Sequence, residues 1–178
     1  MVDIQIRGEI WDNDSSEVLR WLGWRDLTCP NDIAKALEAA GGDEVTVLVN
    51  SPGGDLFSGA EIRSMLRRYN GRTEALIQGY AASAATVAIS ACDVIRCESG
   101  GLCCYHNPVS TAEGDYRDMS GASKSLKNAR DTILDAYLAR PVCKTTREEL
   151  AALMDKDIFI TPTQAKEYGL IDEIVTLE

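Results

Sequence analysis

The sequence predicts one α/β domain spanning residues 1–178, on three observations. Strand and helix signals alternate along the whole chain. No internal repeat, linker or low-complexity tract interrupts them. Two segments, Asn50–Asp55 and Gly79–Ala85, leave a strand and run directly into a helix, the junction at which α/β folds carry chemistry. A chain of 178 residues is the size of one domain. At that size roughly 70% of the unfolded surface is buried, so neither disulfides nor metal are needed for folding.

The elements follow in order. Ile4–Gly8 has the period-two character of a strand, and Glu44–Asn50 is a stronger one, with Val45, Val47 and Val49 on one face. Between them Pro30–Ala40 reads as a helix stopped by Gly41 and Gly42. Ile62, Met65, Leu66 and Tyr69 share a face of a helix over Asp55–Tyr69. A strand is expected at Thr73–Gln78, an alanine-rich helix at Ser83–Cys92, and strands at Val94–Cys97 and Leu102–Tyr105. Ser120–Ala139 is a long helix whose stripe of Leu126, Ala129, Ile133 and Tyr137 is joined near its end by Leu134, Ala136 and Leu138. A second apolar face there implies a partner beyond the domain's own core. Thr145–Glu148 and Thr161–Gln164 read as capping boxes opening two more helices, the second with Pro162 first and Gly169 after its end.

Composition narrows the function. Twenty-eight acidic against 18 basic residues give a net charge of −10. Such a surface repels phosphate backbones and anionic lipid heads, so neither nucleic acid nor a membrane is expected as a partner. The first ten residues include Asp3, Arg7 and Glu9 in place of an apolar signal core. Gly79–Cys92, the longest uncharged stretch, is too short to span a bilayer. The six cysteines form no CxxC pair and have no histidine at zinc-ligand spacing, so buried free thiols, no metal and a cytoplasmic location are expected.

Four segments could carry chemistry, and each alone also has an ordinary role. Asn50-Ser-Pro-Gly-Gly-Asp55 has two glycines where main-chain amides can approach a ligand, but glycine is common in any strand-to-helix turn. Ser83, in Gly79-Tyr-Ala-Ala-Ser-Ala-Ala85, stands at a helix start, where serine is most often a cap. Its alanine neighbours nonetheless leave room for an acyl group. His106 is the only histidine, at the exit of a strand. Asp157 leads into the apolar stretch Ile158–Ile160 and could be a plain surface turn.

Together, in this order and spacing, the segments resemble the proteolytic subunit of the Clp proteases from Ile4 to Val175. The pieces that carry the resemblance are NSPGG, AAS, His-x-Pro after a strand, and D-x-F-x-T-P…YGLIDEI. The resemblance implies a crotonase-like ββα spiral with a long helix that interlocks rings of identical subunits. It further implies Ser83 as nucleophile, His106 as base, Asp157 as orienting acid, and the amides of Gly54 and Ala84 as oxyanion hole. No cofactor is required for such acyl transfer. Peptides or proteins are the expected substrates.

Three departures shape the functional expectation. The first strand comes almost at once, which leaves no arm for an unfoldase, so a Clp ATPase is not expected as a partner. Asn107–Gly114 replaces the glycine-rich substrate strand of the family. Trp11–Pro30 is similar to the Clp-like head-maturation peptidases of tailed phages. A peptidase trimming capsid or portal precursors is therefore expected ahead of a housekeeping degradation subunit or an inactive ring protein of the same fold. Acyl-CoA chemistry on this fold is less favoured, because those enzymes place acidic catalysts where this chain has small residues and a serine.

Overall fold

The computed structural model describes residues 2–176, and among them the chain forms eight strands and seven helices. β1 (Val2–Ile10), α1 (Asn13–Trp21), β2 (Leu27–Thr28) and α2 (Pro30–Ala40) come first. β3 (Val45–Gly54), α3 (Leu56–Arg68), β4 (Thr73–Ala82) and α4 (Ala84–Ile89) follow. β5 (Val94–Glu98) and β6 (Leu102–Cys104) precede the long α5 (Tyr116–Leu138). The chain closes with α6 (Arg147–Met154), β7 (Phe159–Ile160), α7 (Pro162–Tyr168) and β8 (Glu173–Val175).

The main sheet runs β2-β1-β3-β4-β5-β8 with every pairing parallel. Parallel strands are covered on both faces, which is why β3 reads as a nearly continuous apolar run. Val45, Val47 and Val49 are fully buried, and Thr46 is 6% exposed. β4 divides the sheet. Its first half, Glu74–Ile77, pairs with β5, and its last three residues, Tyr80–Ala82, pair with β6 instead. β6 in turn carries β7, the one antiparallel pairing among the described residues. Because β3, β4 and β6 are parallel neighbours, their C-terminal ends emerge at one edge of the sheet.

Several elements differ from the sequence expectation for local reasons. β3 and β4 run on to Gly54 and Ala82 because both remain paired there, Glu9 and Ile10 with Gly53 and Gly54, and Ser51 with Ala81. α5 begins four residues before Ser120, where Asp115 and Asp118 form a reciprocal cap. The cap of α6 is Thr146 with Glu149, one residue past the expected pair. α7 has the expected Thr161, Gln164, Pro162 and left-handed Gly169. α1 was not expected. Only Ser16 of its residues is buried, while Val18 and Trp21 face solvent, so no inward stripe announces it.

The second apolar face of α5 is also corrected. Leu134 is 2% exposed and belongs to the chain's own core, with Leu138 packed against it. The part of α5 left in solvent is its N-terminal half, where Tyr116 is 80% and Met119 40% exposed. Beyond α5, the buried Arg140 ties four segments together. It pairs with Asp172 at 2.5 Å and donates to the carbonyls of Ser90 and Cys92, while Asp172 accepts from the Ile95 amide. A buried cation is tolerated because these acceptors replace its water.

Candidate active site

Ser83 sits immediately after β4 and before α4, with φ 55° and ψ −128°. A β-carbon makes that region costly, by about 1–3 kcal/mol. The strain is held by neighbours. The Ser83 amide donates to the Cys104 carbonyl on β6, and its carbonyl accepts from the Thr86 hydroxyl and the amides of Thr86 and Val87. Thr86 is in turn bonded to the buried Tyr137 hydroxyl at 2.7 Å. The Ser83 side chain caps nothing. The ordinary role for a serine at a helix start is therefore not the one it plays.

Two other serines are committed. Ser51 is fully buried, donates to the Gly8 carbonyl and accepts from the Gly53 amide. Ser90 donates to the Val87 carbonyl and accepts from Arg63. NSPGG thus uses its serine to fold its own turn. Its first glycine lets that turn lie against Ser83: a β-carbon on Gly53 would stand 2.6 Å from the Ala82 carbonyl oxygen, 2.7 Å from Ser83 Cβ and 2.8 Å from the Ala84 nitrogen. Gly54 is pressed onto Ile10 in the same way. The Ala84 amide opens α4, a position with no acceptor within the helix.

His106 and Asp157 meet through strand register. β6 and β7 pair Cys103 with Ile160 and Cys104 with Phe159. Extending that register two residues past Cys104 sets His106 opposite Asp157. His106 Nδ1 is 3.8 Å from Asp157 Oδ1. That is longer than a hydrogen bond, and catalytic contacts in ligand-free sites often tighten only with substrate. Asp157 has φ 48°, a left-handed conformation that aspartate tolerates better than most residues.

Gly54, Ser83, Ala84 and His106 all line one cleft of about 580 Å³, and Asp157 stands behind His106. Trp11, Phe57 and Val109 give it apolar walls that the sequence did not mark, and Ile133 and Tyr137 of α5 close its floor. No cysteine lines this cleft. Burial, reinforced by the nearby Asp157, raises Cys104 above the usual thiol range, and burial pushes Cys92 up to about 12. Among the described residues no group of three or more His, Cys, Asp or Glu side chains is placed to hold a metal ion.

A serine at a strained strand-to-helix turn, a histidine backed by a carboxylate, and two glycines beside them on one sheet edge make an arrangement able to perform acyl transfer. Similarity to known proteins bears on the family of the chain. The profile of the Clp protease family matches residues 31–178. The ATP-dependent Clp protease proteolytic subunit of Deinococcus radiodurans is 26% identical over 134 residues, covering 74% of this chain and 65% of that protein. The subunit of the same name from Mesostigma viride is 30% identical over 139 residues, covering 72% and 56%. Chloroplastic proteolytic subunit 3 of Arabidopsis thaliana is 26% identical over 137 residues, covering 74% and 43%. The matched part of each of these relatives is less than two thirds of its length. With its divided parallel sheet and intervening helices, the fold is the crotonase-like one expected, and the chain belongs to the Clp protease family.

Proposed function

We propose that the chain is a serine endopeptidase acting through Ser83, His106 and Asp157. The observation that carries this reading is Ser83 itself, strained, uncapped, and facing the cleft that holds the chain's only histidine. His106 turns Nδ1 toward Asp157, which leaves Nε2 as the basic nitrogen. Nε2 takes the Ser83 proton as Oγ attacks the scissile carbonyl. The oxyanion sits against the amides of Gly54 and Ala84, each such donor being worth about a hundredfold or more in rate. His106 returns the proton to the leaving amine, and water activated by the same nitrogen releases the acyl group from Ser83. The apolar walls at Trp11, Phe57 and Val109 suit an extended peptide with apolar side chains.

Neutral imidazole is the active form, so activity falls as the medium is acidified and His106 takes up a proton. With a single histidine in the chain, one set of imidazole NMR signals follows that protonation directly. The rate and the NMR titration should fall together. A rate that does not follow the imidazole protonation seen by NMR contradicts a histidine base.

The reading includes assembly of identical chains into rings. Its support is the solvent-exposed N-terminal half of α5, with Tyr116 and Met119 on a helix that reaches beyond the core. Light scattering should give a mass several times 19.4 kDa at micromolar concentration. A monomer there removes this part of the proposal. The resemblance of Trp11–Pro30 to the Clp-like head-maturation peptidases of tailed phages favours trimming of phage capsid or portal precursors. Cleavage of such a precursor at fixed sites supports that role, whereas processive degradation with an ATP-driven unfoldase supports a housekeeping one.

A further inference from the structure

His106 and Asp157 lie just outside the short ladder that aligns them. β6 and β7 are paired at two positions only, and both precede the His106–Asp157 level. The segment after His106 enters no strand or helix until Tyr116. A second tie closes on the far side. The Asn107 side-chain amide donates to Asp155 Oδ1 at 2.8 Å, and Arg130 of α5 donates to the same oxygen at 2.9 Å. Arg130 also reaches the Ala151 carbonyl in the last turns of α6 at 3.3 Å. The pair is thus bracketed, with the β6–β7 ladder on one side and the Asn107–Asp155–Arg130 contact on the other.

The orientation of Asn107 supports a positioning role. Its carbonyl oxygen is buried with no partner, ordinarily a costly arrangement. Turning the amide over would set that oxygen against the Asp155 carboxylate, which is worse. Asp155 therefore fixes Asn107, the residue next to the base, and Arg130 fixes Asp155. We propose that Arg130, through Asp155 and Asn107, is a positioning residue that holds His106 in register with Asp157. The inference rests on the peptidase reading.

An exposed ion pair adds little to stability, and the Arg130 and Asp155 side chains are 31% and 59% exposed. Its loss should therefore be felt in the geometry of the site before it is felt in the fold. A small displacement of a catalytic group costs up to about 100-fold in rate. The test compares the parent protein with Arg130→Gln, Arg130→Lys and Asn107→Ala. Readouts are kcat and KM for a peptide, acylation of Ser83 by a fluorophosphonate, the His106 imidazole signals and the melting temperature. Arg130→Gln and Asn107→Ala should lower kcat and the acylation rate by about 10–100-fold. KM and melting temperature should hold while the imidazole signals move, and Arg130→Lys should recover part of the rate. Parent rates and unmoved imidazole signals in folded Arg130→Gln overturn the proposal. If that variant fails to fold, Asn107→Ala decides by the same readouts. If the parent Ser83 is not acylated, the peptidase reading fails, and the imidazole signals alone decide whether Arg130 positions His106.

Discussion

Ser83→Ala should reduce peptide hydrolysis by about 10⁴ to 10⁶, to the level left by binding and oxyanion contacts alone. The size follows from what the side chain does. The Ser83 side chain makes no cap, so the substitution removes the proposed attacking oxygen without breaking a helix-capping bond. Folding should be unchanged, since the strained backbone is held by main-chain bonds to Cys104, Thr86 and Val87 that alanine keeps. Circular dichroism and melting temperature check the fold, and a peptide assay checks the rate. Residual activity within tenfold of the parent is incompatible with Ser83 as nucleophile.

Gly53→Ala should be nearly as damaging, for a steric reason. The added carbon would meet the Ala82 carbonyl, Ser83 Cβ and the Ala84 nitrogen at 2.6, 2.7 and 2.8 Å. Two of these three are backbone atoms, which no rotamer change relieves. The Ser83 turn must shift, and with it the amide of Ala84. A loss of about 100-fold or more in kcat is expected from that displacement. Gly42→Ala is the matched control. Gly42 has φ +100°, comparable to the +90° of Gly53, but nothing lies within 4 Å of the place its β-carbon would take. It should cost stability of about 1–3 kcal/mol through backbone strain and leave kcat alone. Equal kcat in the two variants contradicts a role for the close approach of Gly53 to Ser83.

What the sequence made legible was what local pattern encodes. The valine alternation of β3, the glycine stop of α2 and the proline and glycine bounding α7 stand where local chemistry puts them. Ser83 and His106 were legible as segments, and the fold brings them to one cleft. What was not legible depends on pairing across the chain. The register that sets His106 opposite Asp157 is a property of β6 and β7 together, 51 residues apart at that point. The same holds for Gly53, whose reason for being glycine lies on β4 and α4. Leu134 misled because periodicity shows that a face is apolar and not what covers it. Here α5 ends against the core of its own chain. α1 was missed for the opposite reason, since its apolar residues face water.

On the proposed mechanism Ser83 is the one activated serine. Exposing the native protein to a serine-directed fluorophosphonate, followed by peptide mapping, tests it most directly. A single modified residue is expected, Ser83, with no modification at Ser51 or Ser90, whose hydroxyls are engaged in structural hydrogen bonds, and none at all in Ser83→Ala. A label on another serine, or labelling that survives Ser83→Ala, contradicts it.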